Sequence, residues 1–318
     1  MSEPVYRVPF VADAAAGAGW VPALRAAMPE LRIAPLREFS DAELAQCEVA
    51  IVANPSPADL RRMPRLKWVQ SVWAGVERLV ADLSDAGDAE LRIVRLVDPQ
   101  LAETMAEAVL AWTLYLHRDM PAYARQQQAR QWRPIEYVKP RDKTVGLLGL
   151  GALGDEAAKR LQSAGFRVEG WSRSLKSLPG VLAHSGEEGL SALLGHAEIL
   201  VCLLPLTPET RGLLNETTFA RMKPNASLIN FARGAIVDDE ALRRALDAGR
   251  LGHAVLDVFA VEPLPEDSWH WHHPAVTVLP HISGPTDRGT ASAIVAANIR
   301  TFRVSGKIPP HVHRERGY

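Results

Sequence analysis

Cysteine is nearly absent: Cys47 and Cys202 are the only two in 318 residues. Both sit in apolar surroundings, so buried thiols are expected rather than a disulfide framework, which fits a reducing cytoplasm. A charge excess is missing too. Lys and Arg total 36 against 37 Asp and Glu, a formal balance of -1, and nothing in it suggests a nucleic-acid or anionic-membrane partner. No uninterrupted apolar run is long enough to cross a bilayer. The opening MSEPVYRVPFVADAA lacks the basic region and apolar core of a secretion signal. Apolar residues are plentiful at 47%, enough to fill one large core or two.

The most informative stretch is TVGLLGLGALGDEAAKRLQSAGFRVEGWSRS at 144–174. A short apolar run at 145–148 meets Gly149, Gly151 and Gly154. A helical pattern follows, with Leu153, Ala157, Leu161 and Ala164 on one face, and then a second strand at 166–171. In this setting the glycines predict a tight turn, a close approach of backbone to a pyrophosphate, and close helix–strand packing. Gly149, Gly151, Ala152, Leu153 and Gly154 are therefore cofactor-site candidates, with the diphosphate on the free N–H groups of the helix start.

The end of the second strand selects the dinucleotide. An NAD site places a carboxylate about 20 residues beyond the first glycines, on the ribose 2′-OH. Here Ser172, Arg173, Ser174 and Lys176 occupy that end, and Glu169 comes too early. A guanidinium and two hydroxyls suit a 2′-phosphate, so NADP(H) is expected in preference to NAD(H).

Residues 1–101 form an α/β pattern of their own, with strands expected near 6–11, 31–35, 49–53, 66–69 and 92–96. Ser40 and Glu43 have the spacing of a capping box. Within this part, QSVWAGV at 70–76 joins a strand to a helix through a glycine turn, read locally either as a plain strand–helix corner or as a small anion-binding concavity of backbone N–H groups. An apolar helix is expected over 101–117 and an irregular arm over 120–141, with Trp132 and Tyr137. After the glycine loop, strands are expected near 199–204, 227–231, 254–259 and 276–279, alternating with helices. The last helix, near 289–304, returns the chain to its first part. The expected architecture is thus α/β in two domains. A flavodoxin-like substrate domain comprises 1–101 and 285–318, and a Rossmann dinucleotide-binding domain comprises 102–284. Two crossings between domains suit an enzyme that closes on its substrate.

Three titratable residues fall just after successive late strands: Arg233, Glu262 and His281. Reduction of a 2-oxo acid needs a hydride and a proton for the developing alkoxide. Arginine clamps a carboxylate and polarises the carbonyl. Histidine holds and releases a proton near neutral pH, and an adjacent glutamate favours its charged form. The WHWHH patch at 269–273 lacks nearby acids or cysteines to complete a metal site, and no metal is expected.

These motifs together resemble the D-isomer-specific 2-hydroxyacid dehydrogenases, and within them the bacterial glyoxylate/hydroxypyruvate reductase A group. The resemblance runs through GLLGLGALG (146–154), GWSRSLKSLPGV (170–181), LLPLTPETRGLLN (203–215), LINFARGAIVDDEAL (228–242), LDVFAVEPLPEDS (256–268), LPHISG (279–284) and the terminal RERGY; SVWAGVERL (71–79) continues it in the first domain. It implies that Arg233 binds substrate, that His281 donates the proton and that Glu262 supports it. It further implies a carboxylate seat at Trp73, Ala74, Gly75 and Val76, and that Asp257 receives the nicotinamide carboxamide. Pro205 and Thr207 would lie on the adenosine side, with Ala232, Arg233 and His281 also lining the cofactor. A homodimer is implied as well. Trp73, where many members have glycine, and Ser283-Gly284, where a small apolar pair is common, bear on substrate choice. The implied activity is NADPH-dependent reduction of glyoxylate or hydroxypyruvate; the alternatives are a bulkier 2-oxo acid or a non-catalytic dinucleotide-sensing protein. Glu262 in place of a glutamine argues against formate oxidation, and a chain ending at Tyr318 argues against a phosphoglycerate dehydrogenase with a regulatory domain.

Overall fold

The computed structural model describes residues 5–12, 14–88 and 90–313, so the terminal RERGY lies outside the described residues. The chain divides into two compact units, Met1–Gln100 with Thr286–Tyr318, and Leu101–Pro285.

The first unit runs β1 (Arg7–Ala12), α1 (Ala14–Ala27), β2 (Arg32–Pro35), α2 (Asp41–Leu44), β3 (Val49–Ala53), α3 (Pro57–Arg61), β4 (Trp68–Ser71), α4 (Glu77–Asp85) and β5 (Arg92–Val94). Its parallel sheet has the order β2-β1-β3-β4-β5, the flavodoxin-like arrangement. Strand side chains alternate between faces. Val8, Phe10, Ile51 and Trp68 enter one cluster, and Val11, Ala50, Val52 and Val69 the other. The Ser40–Glu43 capping box is present.

The chain continues through α5 (Pro99–His117), α6 (Met120–Gln128), β6 (Thr144–Leu148), α7 (Ala152–Ser163), β7 (Arg167–Trp171), β8 (Val181–His184), α8 (Gly186–His196), β9 (Ile199–Cys202), α9 (Glu216–Arg221), β10 (Ala226–Asn230), α10 (Asp239–Asp247), β11 (Leu251–Leu256) and β12 (Val276–Val278). The second sheet is parallel with the order β12-β11-β10-β9-β6-β7-β8. Order reverses between β6 and β9, the switch point at which such sheets take ligands. Leu200, Cys202, Leu228 and Leu256 face the cluster under α8, α9 and α10, whereas Val145, Leu147, Val201 and Ile229 face α5 and α7. Both cysteines are free and buried, and burial pushes the Cys202 thiol up to about 12.

The final helix, α11 (Arg288–Ser305), packs into the first unit. Ala291, Val295, Ile299 and Phe302 join the β1–β4 cluster, and Asn298 donates to the buried Gln70 side chain at 2.8 Å. Two chain segments near the unit boundary are also tied: Thr290 Oγ1 donates to Asp98 at 2.6 Å, and the Gln100 N–H to the same carboxylate at 2.9 Å.

The first part of the arm expected over 120–141 is α6, started by Pro121, whose fixed φ suits a first helical turn. The apolar helix expected over 101–117 is α5, which buries Leu101, Met105, Ala106, Val109, Thr113 and Leu116. Among the described residues no helix is long and apolar enough to cross a membrane.

Candidate active site

The glycine loop leaves β6 at Gly149, whose φ of 107° lies in the region that side chains avoid. Its N–H donates to Trp171 O at 2.8 Å, tying the turn to β7. A Cβ on Gly154 would overlap the Gly149 carbonyl oxygen, so α7 approaches the turn only because that side chain is missing. A Cβ on Gly151 would meet nothing within 4 Å, and no side chain caps α7. The first-turn N–H groups, with Ala152 and Leu153 among them, therefore face an open cradle suited to a diphosphate. A dinucleotide fits this donor set.

Ser172 follows β7 and is buried, while Arg173, Ser174 and Lys176 are exposed. The Ser172 hydroxyl donates to Ser174 O at 2.7 Å, closing the turn on itself. No carboxylate belongs to the turn. Glu169, inside β7, is turned to His184 at 2.8 Å and His196 at 3.0 Å. After β9, Thr210 Oγ1 donates to Pro205 O at 2.7 Å and accepts the Thr207 N–H at 2.8 Å, holding Pro205 and Thr207 in a compact loop. Next to it, the Thr207 side-chain hydrogen bond holds the Glu209 carboxyl below its usual range, with its own backbone and the Arg173 charge adding to the effect.

The catalytic candidates lie at the carboxyl ends of three adjacent strands, β10, β11 and β12, which are registered by Asn230↔Leu256 and Leu256↔Val278. At the first end Asn230, 1% exposed, clamps the following turn: its Oδ1 accepts the Ala232 N–H at 3.2 Å and its Nδ2 donates to Arg233 O at 3.1 Å. Arg233 Nη1 donates to Ala232 O at 2.7 Å. Gly234 then packs directly on the chain after β11, where a Cβ would overlap the Phe259 and Ala260 backbone.

At the second end Asp257 is buried, and Glu262 folds back so that Oε1 accepts the Phe259 N–H at 2.9 Å. Its other oxygen lies 2.8 Å from Nδ1 of His281. His281 has φ 55°, an uncommon backbone state for a side-chain-bearing residue. The following N–H groups, of Ile282 and Ser283, donate to the two Asp257 oxygens at 2.7 and 2.9 Å. Asp257 thus anchors the loop that carries His281, a contact the sequence did not reveal. Asn230 and Gly234 were likewise unmarked; an amide ending an apolar strand is the one local signal for the former. Ser283 is buried, and Gly284 lies against α5, where a Cβ would come within 2.8 Å of Met105 Cε.

In the first unit, Trp73 packs edge-to-face on Trp20 with ring centroids 5.7 Å apart. The backbone N–H of Trp73 donates to Ser71 Oγ at 3.0 Å. No acceptor among the described residues takes the N–H of Ala74, Gly75 or Val76, and α4 starts without a side-chain cap.

Solved structures of similar chains match nearly the full length of this one. A D-isomer specific 2-hydroxyacid dehydrogenase from Xanthobacter autotrophicus Py2, in complex with NADPH and MES, superposes with a TM-score of 0.89 at 39% identity, covering 98% of this chain and 99% of that one. An NADPH-dependent glyoxylate/hydroxypyruvate reductase from Sinorhizobium meliloti, in complex with NADP and sulfate, gives 0.87 at 33% identity over 98% and 100%. A probable 2-hydroxyacid dehydrogenase from Rhizobium etli CFN 42, with NADP, HEPES and L(+)-tartaric acid, gives 0.89 at 31% identity over 99% and 100%. Residues 110–283 match the family described as D-isomer specific 2-hydroxyacid dehydrogenase, NAD binding domain. With the glycine cradle at the sheet's switch point and a histidine–glutamate pair at its strand ends, this chain belongs to the D-isomer specific 2-hydroxyacid dehydrogenase family.

Proposed function

We propose that the protein reduces glyoxylate or hydroxypyruvate with NADPH, giving glycolate or D-glycerate. The observation that carries the chemistry is the 2.8 Å contact between Glu262 and His281. It gives a histidine whose ring is oriented by a carboxylate at Nδ1, leaving Nε2 for proton transfer. Support for the substrate class comes from the Sinorhizobium meliloti reductase, similar over essentially its full length.

The reduced nicotinamide, when bound, supplies the hydride. Everything else falls to this chain. Arg233 binds the substrate carboxylate and polarises the 2-oxo group as charge builds on its oxygen. In the first unit, the N–H groups of Ala74, Gly75 and Val76 form a set of donors suited to an anion. His281, protonated, delivers a proton from Nε2 to the alkoxide while Nδ1 stays on Glu262. In the reverse direction the same nitrogen takes the proton from the 2-hydroxyl. Arg173, Ser174 and Lys176 form the donor group for a 2′-phosphate, which favours NADPH over NADH, and relatives bound to NADPH and NADP support this choice.

Assembly as a homodimer is part of the same proposal. Trp132 is fully exposed on the arm after α6, Tyr137 and Val138 beside it are exposed, and so is Leu114 on α5; such surface invites a second copy. A single species of roughly 35 kDa in sedimentation at micromolar concentration would refute it. The two buried thiols favour a cytoplasmic location. The function is tested by kcat/KM for a panel of 2-oxo acids with NADPH and NADH. Glyoxylate or hydroxypyruvate with NADPH should rank first, and absence of turnover with every 2-oxo acid would leave a dinucleotide-sensing role.

A further inference from the structure

We propose that Glu169, His184 and His196 form a binding site for a divalent transition-metal ion, zinc being the representative, separate from the catalytic residues. Among the described residues they are the one set of three potential ligands whose donor atoms all lie within 4.8 Å of one another. Glu169 Oε2 sits 2.8 Å from His184 Nε2 and 3.0 Å from His196 Nδ1. Two imidazole nitrogens and a carboxylate oxygen are a donor set that suits zinc, with remaining positions filled by water.

The fold builds the site from three elements. Glu169 in β7 pairs with Leu182 in β8, which places His184 two residues further on the same face. His196 ends α8, which packs over that face, with Gly189 close enough that a Cβ would lie 3.1 Å from His184 Cβ. Glu169 and His184 side chains are each 14% exposed and held in place, while His196 at 54% leaves an entry from solvent. No donor among the described residues takes Glu169 Oε1, so a second oxygen remains for the ion.

Both rings now meet the same oxygen, so an ion between them replaces these contacts, each neutral ring carrying its proton on the nitrogen turned away from the ion. Ser172 N–H donates to His184 O at 3.2 Å, so an ion here braces the strand end that carries Ser172 and Arg173.

The test is calorimetric titration of zinc chloride, in a non-coordinating buffer, into the parent chain, His196→Ala and Glu169→Gln. His196 is exposed at a helix end, and glutamine keeps an oxygen for both rings, so both variants retain the fold. The parent should bind one ion with a Kd of roughly micromolar order, and each variant at least about tenfold more weakly. Zinc should raise the parent's melting temperature and should raise that of His196→Ala much less. Absence of saturable binding to the parent, or binding unchanged in both variants, would overturn the site.

Discussion

Glu262 holds His281 from one oxygen and its own loop from the other: Oε2 is 2.8 Å from His281 Nδ1, and Oε1 accepts the Phe259 N–H at 2.9 Å. The ring is thereby tied to the backbone after β11 through a single carboxylate. Replacing His281 with alanine removes the proton donor and should lower kcat for reduction by about 10²–10⁴-fold while NADPH binding survives. Glu262→Gln keeps one oxygen but puts an amide in place of the other, so the side chain can no longer serve both His281 and the Phe259 N–H, and kcat for reduction should fall by roughly tenfold or more. The measurement is kcat together with NADPH affinity for parent and variant, and a parental kcat in Glu262→Gln would sink the pairing.

Asp257 provides a second test, because two roles for it make different forecasts. Its oxygens accept the N–H groups of Ile282 and Ser283 just after His281, whose φ is 55°. A backbone state of that kind costs about 1–3 kcal/mol and persists only when its surroundings hold it. Asparagine offers one oxygen and presents its amide group to the other N–H. Asp257→Asn should therefore lower kcat by roughly tenfold or more through misplacement of His281, consistent with loss of one charge-assisted hydrogen bond. Loss confined to NADPH affinity, with kcat intact, would assign Asp257 to the nicotinamide carboxamide alone.

The cofactor preference rests on Arg173. Losing a charge-assisted contact of about 1.5–3 kcal/mol weakens binding by about ten- to a hundredfold. Arg173→Ala should do this to NADPH and leave NADH nearly unchanged in fluorescence titrations. Equal losses for both cofactors would remove the 2′-phosphate role.

How much of this was legible beforehand depended on whether the cause was local. The glycine loop and the Ser40 capping box announce themselves by spacing, because each is closed within a few residues. Arg233, Glu262 and His281 stood out because apolar strands end just before them. By contrast β8 is four residues long, an edge strand with no fully buried position, and nothing in Val-Leu-Ala-His marks it. The start of α6 was obscured by its polar Gln126–Gln128 end. Gly234 matters through the approach of the Phe259–Ala260 backbone, and Asp257 through N–H groups 25 and 26 residues away. Glu169, His184 and His196 meet only once β7 pairs with β8 and α8 folds over them. Long-range backbone proximity leaves no periodicity to read.

His253 carries a consequence for stability rather than catalysis. It lies in β11, 5% exposed, with Nε2 2.9 Å from Thr277 Oγ1 and no partner for Nδ1 among the described residues. Burial lowers its pKa to about 4, with smaller contributions from the charge of Arg125 and from His273. The unfolded chain takes up this proton near pH 6.5, whereas the folded one resists it until near pH 4. More protons are bound by the unfolded state throughout that interval, so stability contributed by the neutral ring is present above about pH 6.5 and is lost as pH falls toward 4. The loss reaches roughly 2–3 kcal/mol by about pH 4.5. His253→Gln keeps a polar group within reach of Thr277 and removes the titration. Its denaturation midpoint should fall less steeply than the parent's between pH 7 and pH 4.5, even if it starts lower at neutral pH. Parallel slopes for the two proteins would mean that the native state accommodates the charged ring after all, through displacement of β12 or entry of water beside Thr277.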